Sequence, residues 1–187
     1  RAPDNEVVNL GRLLASGGTA SILAGTIRHS GEINADSVSS DGKGRISLKA
    51  SNRISLSEGS VVRTVGGAGE SGGDIAIDAR NAGKDGSVDL LGKVSADGET
   101  GGTVTVRANN LLVDGVVSAS ATKDAGRVSM VTTGTTIETT NGVVQATSKT
   151  GRGGRIYVDG GENTFTSGVL RANGGLGGHV SVLGDEV

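Results

Sequence analysis

Seven times along this chain a glycine is followed, two residues on, by an apolar or small side chain, and by an apolar one again two residues later. The glycines are Gly18, Gly44, Gly73, Gly102, Gly126, Gly154 and Gly178. The first inward position holds Ala20, Ile46, Ile75, Val104, Val128, Ile156 and Val180. The second holds Ile22, Leu48, Ile77, Val106, Met130, Val158 and Val182. A third is always small: Ala24, Ala50, Ala79, Ala108, Thr132, Gly160 and Gly184. Successive copies lie 26, 29, 29, 24, 28 and 24 residues apart, within the roughly 20–50-residue range of solenoids. Apolar residues at every second position are the mark of a strand with one face buried.

The other half of each repeat carries a second signature: glycine, any residue, apolar, any residue, alanine. It reads Gly11-Leu13-Ala15, Gly31-Ile33-Ala35, Gly92-Val94-Ala96, Gly115-Val117-Ala119, Gly142-Val144-Ala146 and Gly168-Leu170-Ala172. The copy at Gly59-Val61 has Arg63 where alanine is expected. Between the two signatures sits a shorter apolar pair, clearest at Ile54/Leu56, Val88/Leu90 and Leu111/Val113. Three short strands in about 27 residues close into one triangular coil, and stacked coils hydrogen-bond in parallel about 4.8 Å apart. The pattern therefore predicts an all-β protein, a right-handed parallel β-helix of about seven three-stranded coils, making a rod of about 30–35 Å.

Stacking sets like on like. Ile46, Ile75, Val104, Val128, Ile156 and Val180 are expected to form a continuous core ladder, with the signature glycines turning the corner before it. Asn52, Asn81 and Asn110 stand two residues after an alanine in three successive repeats and predict an asparagine ladder. Lys49, Asp78 and Arg107 share an outer column, and Arg45 faces Asp74 in another. The rival architecture is an antiparallel sandwich, suggested by the hairpin dipeptides Asp41-Gly42, Asp97-Gly98, Asp114-Gly115 and Asn141-Gly142. A sandwich gives no reason to keep one glycine at a fixed offset seven times.

Composition agrees with a core built from small aliphatics. The 187 residues include 34 glycines, one proline (Pro3), no cysteine and no tryptophan, with Tyr157 and Phe165 the only aromatics. The absence of cysteine removes disulfides and thiolate metal sites. A net charge of −2 gives no electrostatic case for nucleic acid. No apolar run approaches the roughly 18 residues of a membrane span, so membrane insertion is not expected. Residues 1–187 read as a single β-helix segment from a longer repetitive chain.

The stretch Val7 to Ala35, VVNLGRLLASGGTASILAGTIRHSGEINA, resembles the coils of filamentous haemagglutinin-like exoproteins, which commonly read VxNxGxIxAxGGxVxLxAxxIxNSGxIxA. The run GGLGGHVSVLGDEV from Gly174 is similar to another recurrent coil of that family. The asparagine-proline motifs of the family's secretion domain are absent. The resemblance implies two-partner secretion by an outer-membrane transporter of a Gram-negative bacterium. It also implies display at the extracellular cell surface as an adhesin-like fibre, in biofilm, fibre or sheath. A host-cell or polysaccharide ligand and lateral or end-to-end self-association are further implied partners.

Catalytic and metal chemistry finds little footing. The alternatives to a structural shaft are an adhesin module that binds a glycan or receptor directly, through variable turns such as 64–72 and 81–86, and a β-helix polysaccharide lyase or hydrolase. Hydrolysis wants paired carboxylates, and no outer column is expected to hold two. His29 and His179 are the only histidines and lie in distant coils, His29 in a turn and His179 outside a strand. The glycine-rich runs at Gly66 and Gly174 lack the aspartate of calcium-binding coils. No enzymatic activity, cofactor or metal is expected.

Overall fold

The computed structural model describes residues 5–37, 43–83 and 85–186; Pro3 and Asp41-Gly42 lie outside them. Face one of the stack is made by the first half of β3 (Thr19–His29), the first half of β5 (Arg45–Leu56), β7 (Asp74–Asp78), β10 (Thr103–Ala108), β13 (Arg127–Thr132), β16 (Arg155–Asp159) and β19 (His179–Leu183). Face two holds β1 (Glu6–Asn9), the second halves of β3 and β5, β8 (Ser87–Leu90), β11 (Asn110–Val113), β14 (Thr135–Glu138) and β17 (Asn163–Thr166). Face three holds β2 (Arg12–Leu14), β4 (Glu32–Asn34), β6 (Val61–Arg63), β9 (Lys93–Ser95), β12 (Val116–Ser118), β15 (Val143–Gln145) and β18 (Val169–Arg171). Among the described residues every strand pair is parallel, each strand bonding to its counterpart in the neighbouring coil. The result is a parallel β-solenoid of about six complete turns with a partial coil at either end. The antiparallel sandwich is excluded by that pairing. Asp114-Gly115 and Asn141-Gly142 are corners between faces two and three, not hairpins.

Ile46, Ile75, Val104, Val128, Ile156 and Val180 are register partners from β5 to β19. All are buried except Val180, which is 40 % exposed because no described coil covers it. The second column, Leu48-Ile77-Val106-Met130-Val158, is buried beside it.

The signature glycines stand at the corner before the core ladder, and the reason glycine is needed there is steric and not conformational. Positive φ occurs at Gly17, Gly59, Gly69, Gly161 and Gly177, none of them in the first signature. None of the seven signature glycines has a left-handed φ, and what they supply is room. A Cβ on Gly73, Gly102, Gly126 or Gly154 would strike the carbonyl oxygen of the signature glycine one coil earlier. On Gly44 and Gly178 it would strike the carbonyls of Ala35 and Ala172. Gly18 is less crowded, 3.3 Å from the Ala15 oxygen. The same glycines close the corner between faces three and one. The N–H groups of Gly18, Gly73, Gly102, Gly126 and Gly154 donate to the carbonyls of Ala15, Thr64, Ala96, Ala119 and Ala146, each at 2.8 Å. Loops of different length are thus pinched by one recurring bond. The loops also pair with each other, at Ser71↔Thr100, Gly98↔Ala121 and Ala121↔Ser148, so the 64–72 turn is part of the stack.

Two sequence expectations need correcting. On face three, Ile33 is level with Val62, and Ala35 donates its N–H to the Arg63 carbonyl. The repeat there is Ser60-Val62-Thr64, one residue later than Gly59-Val61-Arg63. Gly59 belongs to the preceding tight turn, where its φ of 79° is needed; Ser60 takes the corner slot and Arg63 points outward. The asparagine ladder does not form either. Asn110 is level with Ser87 and Arg53, as the first residues of their face-two strands. Asn52 sits in a bulge of β5, where Ser51 and Asn52 oppose Gly25 alone, and Asn81 lies in the 79–86 corner. Counting from the alanine fails because that corner varies in length. The buried carboxamide is Asn109. Its Oδ1 accepts from the N–H groups of Asn81 at 2.9 Å and Gly86 at 3.2 Å, and its Nδ2 donates to Thr133 Oγ1 at 2.9 Å. One side chain thereby fastens both ends of the long 79–86 excursion to the next coil.

If room is what the corner glycines supply, Gly126→Ala should destabilise the chain by about 3 kcal/mol, the upper range for overpacking against backbone. Gly67→Ala, with open space around its Cβ, should change stability by less than about 0.5 kcal/mol. Urea titrations of the two variants decide it; equal midpoints would show that the corner relaxes.

Candidate functional site

Since the inside of the stack is committed to packing, chemistry has to be sought on the outer columns and at the few polar groups turned inward. Among the described residues eight lysines and arginines are ion-paired, seven of them to an acid of a neighbouring coil. Arg12 bonds to Glu32 at 2.8 Å, Arg28 to Glu6 at 2.6 Å, Arg45 to Asp74 at 3.8 Å, Lys123 to Glu99 at 3.4 Å and Arg152 to Asp124 at 3.9 Å. Arg53 pairs with Asp89 and Arg63 with Asp36. Partial burial raises the Asp36 carboxyl, but the Arg63 guanidinium and the Val65 N–H outweigh it and hold the group below the usual carboxylate range. Exposed pairs of this kind contribute about 0–1 kcal/mol each; their consistent effect is on register.

Lys49, Asp78 and Arg107 are level on face one. Asp78 is engaged by Arg80 of its own coil, at 2.6 Å. Burial raises the Asp78 carboxyl and Arg80 more than reverses that, with Lys49 adding to it. A carboxylate so held is a poor general acid. Among the described residues no three of His, Cys, Asp and Glu converge on a point that could hold a metal ion. No helix of the described residues is long and apolar enough to cross a membrane.

His29 is not in a turn. It ends β3, is 1 % exposed, and lies in an inward column between Asn9 and Leu56. Strand β3 runs through its corner at Gly25, so the alternation from Ile27 carries His29 inside. Its Nε2 lies 3.2 Å from the Val61 carbonyl oxygen. Burial lowers its pKa, partly opposed by that carbonyl, and the ring is a neutral part of the core. His179 is exposed at the start of β19.

The same inward column continues through Leu90 and Val113 to Glu138. Glu138 is 3 % exposed, and neither carboxylate oxygen has a hydrogen-bond partner among the described residues. Its neighbours in the column are Val113 and Thr166. A Cβ on Gly142 or Gly168 would touch its side chain. Burial alone pushes its pKa up to about 7. Nothing in the alternation marks this glutamate as inward until the face-two register is known.

One outer region sets like charges level with each other. Arg127, Arg155 and His179 are direct register neighbours at the head of β13, β16 and β19. The next outward column holds Ser129, Tyr157 and Ser181. Between them runs a groove of about 490 Å³ lined by Arg127, Arg155, Tyr157, His179 and Ser181. Tyr157 donates its hydroxyl hydrogen to Asp159 Oδ2 at 3.0 Å, which fixes the ring.

The fold has a solved counterpart. The chain is similar in structure to the secretion domain of HMW1 from Haemophilus influenzae, with a TM-score of 0.68 and 21 % sequence identity. The likeness covers 91 % of this chain and 50 % of that one, so the chain spans half the length of its structural counterpart. No family profile and no curated protein matches the sequence. The class defined by fold and counterpart is the parallel β-solenoid, the architecture expected from the resemblance to filamentous haemagglutinin-like exoproteins.

Glu138 makes stability depend on pH in a definite direction. Its pKa in the folded chain, about 7, lies above the ordinary 4.5, so folding favours the protonated form. The contribution of Glu138 is greatest below about pH 4.5, falls as pH rises through about 7 and is level beyond, a total of about 3 kcal/mol, whereas Asp36 and Asp78, held low by their arginines, act in the opposite sense at acid pH. Glu138→Gln should remove that slope and leave the variant the more stable one above neutrality. Urea midpoints on either side of neutral pH measure it; an unchanged slope in the variant would assign the effect to another group.

Proposed function

We propose that the chain is a shaft segment of a secreted or surface-displayed fibrous exoprotein, without enzymatic activity, exported by a Gram-negative bacterium through an outer-membrane transporter in two-partner secretion. The observation that carries this reading is the repetition itself. Each coil makes the same parallel backbone bonds to the next, and seven ion pairs on the wall cross from one coil to another. A stack of that kind transmits length and stiffness, and it lengthens by adding coils without redesign. The resemblance of Val7–Ala35 to filamentous haemagglutinin-like coils supports the export route, as does a fold shared with a secretion domain. A chain without cysteine, stabilised only between neighbouring coils, suits passage as an extended polymer and folding one coil at a time. Adhesion, biofilm or sheath formation would be the work of the fibre that the shaft carries.

A shaft tolerates loss of a whole coil where a discrete active site does not. Deleting residues 103–126 joins Gly102 to Arg127, which is level with Thr103. The shortened chain should stay folded and lose about 5 Å of length, as read by small-angle scattering. In intact cells, antibody labelling of the chain at the surface should persist for the deletion and vanish when the transporter is removed. Surface labelling that survives loss of the transporter would overturn the export route. Unfolding of the coil-deleted chain would overturn the modular shaft.

A further inference from the structure

We infer that the groove across β13, β16 and β19 is a binding site for a carboxylated polysaccharide, with the sugar chain lying along the stack axis. The first ground is a conflict that the fold does not need. Among the described strands, Arg127 and Arg155 are the one case in which two arginine or lysine side chains are direct register partners. Elsewhere the register sets a cation beside an acid or a neutral residue, as at Arg12↔Glu32, Arg45↔Asp74 and Lys49↔Asp78. Neither Arg127 nor Arg155 makes an ion pair among the described residues. Like charges directly opposite on neighbouring strands are destabilising. The level above them is occupied by Thr103, which shows that the slot accepts an uncharged β-former. Two arginines level on neighbouring strands, neither with an ion-pair partner among the described residues, can meet one anionic ligand together.

The second ground is what stands next to them. Tyr157, one of two aromatics in the chain, lies in the adjoining column with Ser129 and Ser181 on either side, and its hydroxyl is tied back to Asp159. A fixed ring flanked by small hydroxyl residues leaves a shallow slot in which a pyranose ring can pack on an aromatic face while its hydroxyls find partners. Guanidinium groups bind carboxylates by paired, planar hydrogen bonds. They repeat here at the strand spacing of about 4.8 Å, matching a polymer that presents about one acid per sugar. Nucleic acid fits less well, because the chain as a whole carries a net charge of −2 and the groove offers one ring. The site does not rest on the export route or on the shaft reading, since it needs only this chain.

The test is a titration of the full chain with polygalacturonate, its methyl ester, dextran sulfate and single-stranded DNA, at low and physiological salt. Polygalacturonate should bind, weakening with salt, and the neutral ester should not. Arg155→Thr should weaken binding about tenfold while its melting temperature stays level or rises, because a like-charge contact is relieved. Tyr157→Ser should also weaken binding, whereas Arg107→Thr, which removes a charge from the same face outside the groove, should not. The proposal is overturned if Arg155→Thr binds like the parent or if the ester binds as well as the acid. It is equally overturned if dextran sulfate or DNA binds as tightly with no dependence on Tyr157.

Discussion

Backbone hydrogen bonding between coils, at a spacing of about 4.8 Å, governs the rest of this molecule. Each strand finds its partner one coil away, so each residue inherits an environment set by the residues above and below it. The spacing is too short for a Cβ that points along the axis at a tight corner. That is why Gly73, Gly102, Gly126 and Gly154 form a column in which each leaves space for the carbonyl of the one before. It is also why Thr64 and Ala96 can accept the same 2.8 Å bond from Gly73 and Gly102 across loops of unequal length. The repeat length is free to vary because the bond, and not the count of residues, defines the coil.

That freedom set the limit of what could be read from sequence. Face one was legible in full register because a glycine and three alternating positions stand at fixed offsets within one uninterrupted strand, so Ile46 and Ile156 could be put in one column across four coils. On face two the apolar pairs Ile54/Leu56, Val88/Leu90 and Leu111/Val113 were legible and do fall level, but the residues around them were not, because the corner before it runs from one residue at Gly25 to the long excursion that Asn109 fastens. An offset counted through that corner loses its meaning, and with it went the asparagine ladder. The same uncertainty hid His29 and Glu138. Each looks like a solvated polar residue until the register sets it in a column of Leu56, Leu90 and Val113. On face three, Gly59 imitated a corner glycine while its positive φ served the turn before it.

The outer columns obey a weaker rule, and departures from it are therefore informative. An inward residue is fixed by packing, and a substitution there reports on the core. An outward residue on a parallel wall is constrained by little except its neighbours' charges, and among the described strands a cation's register partners are acids or neutral residues everywhere but at Arg127 and Arg155. The groove of Arg127, Arg155 and Tyr157 was missed in the sequence because basic residues scattered along a chain look alike until the register shows which of them touch.

In a solenoid the free energy is close to a sum of nearest-neighbour terms, so a local conflict costs stability only at its own interface. A like-charge contact between β13 and β16 leaves the pairing of β3 with β5 untouched. The same holds for a buried acid at Glu138. A stack can therefore hold sites that would strain a globular core, provided that the coils on either side are sound. Stiffness and recognition then do not compete for the same residues. Inward columns carry the first, and a few outward positions are released for the second. A shaft with a ligand groove on one face is, on this view, what the fold permits at the least cost to its own stability.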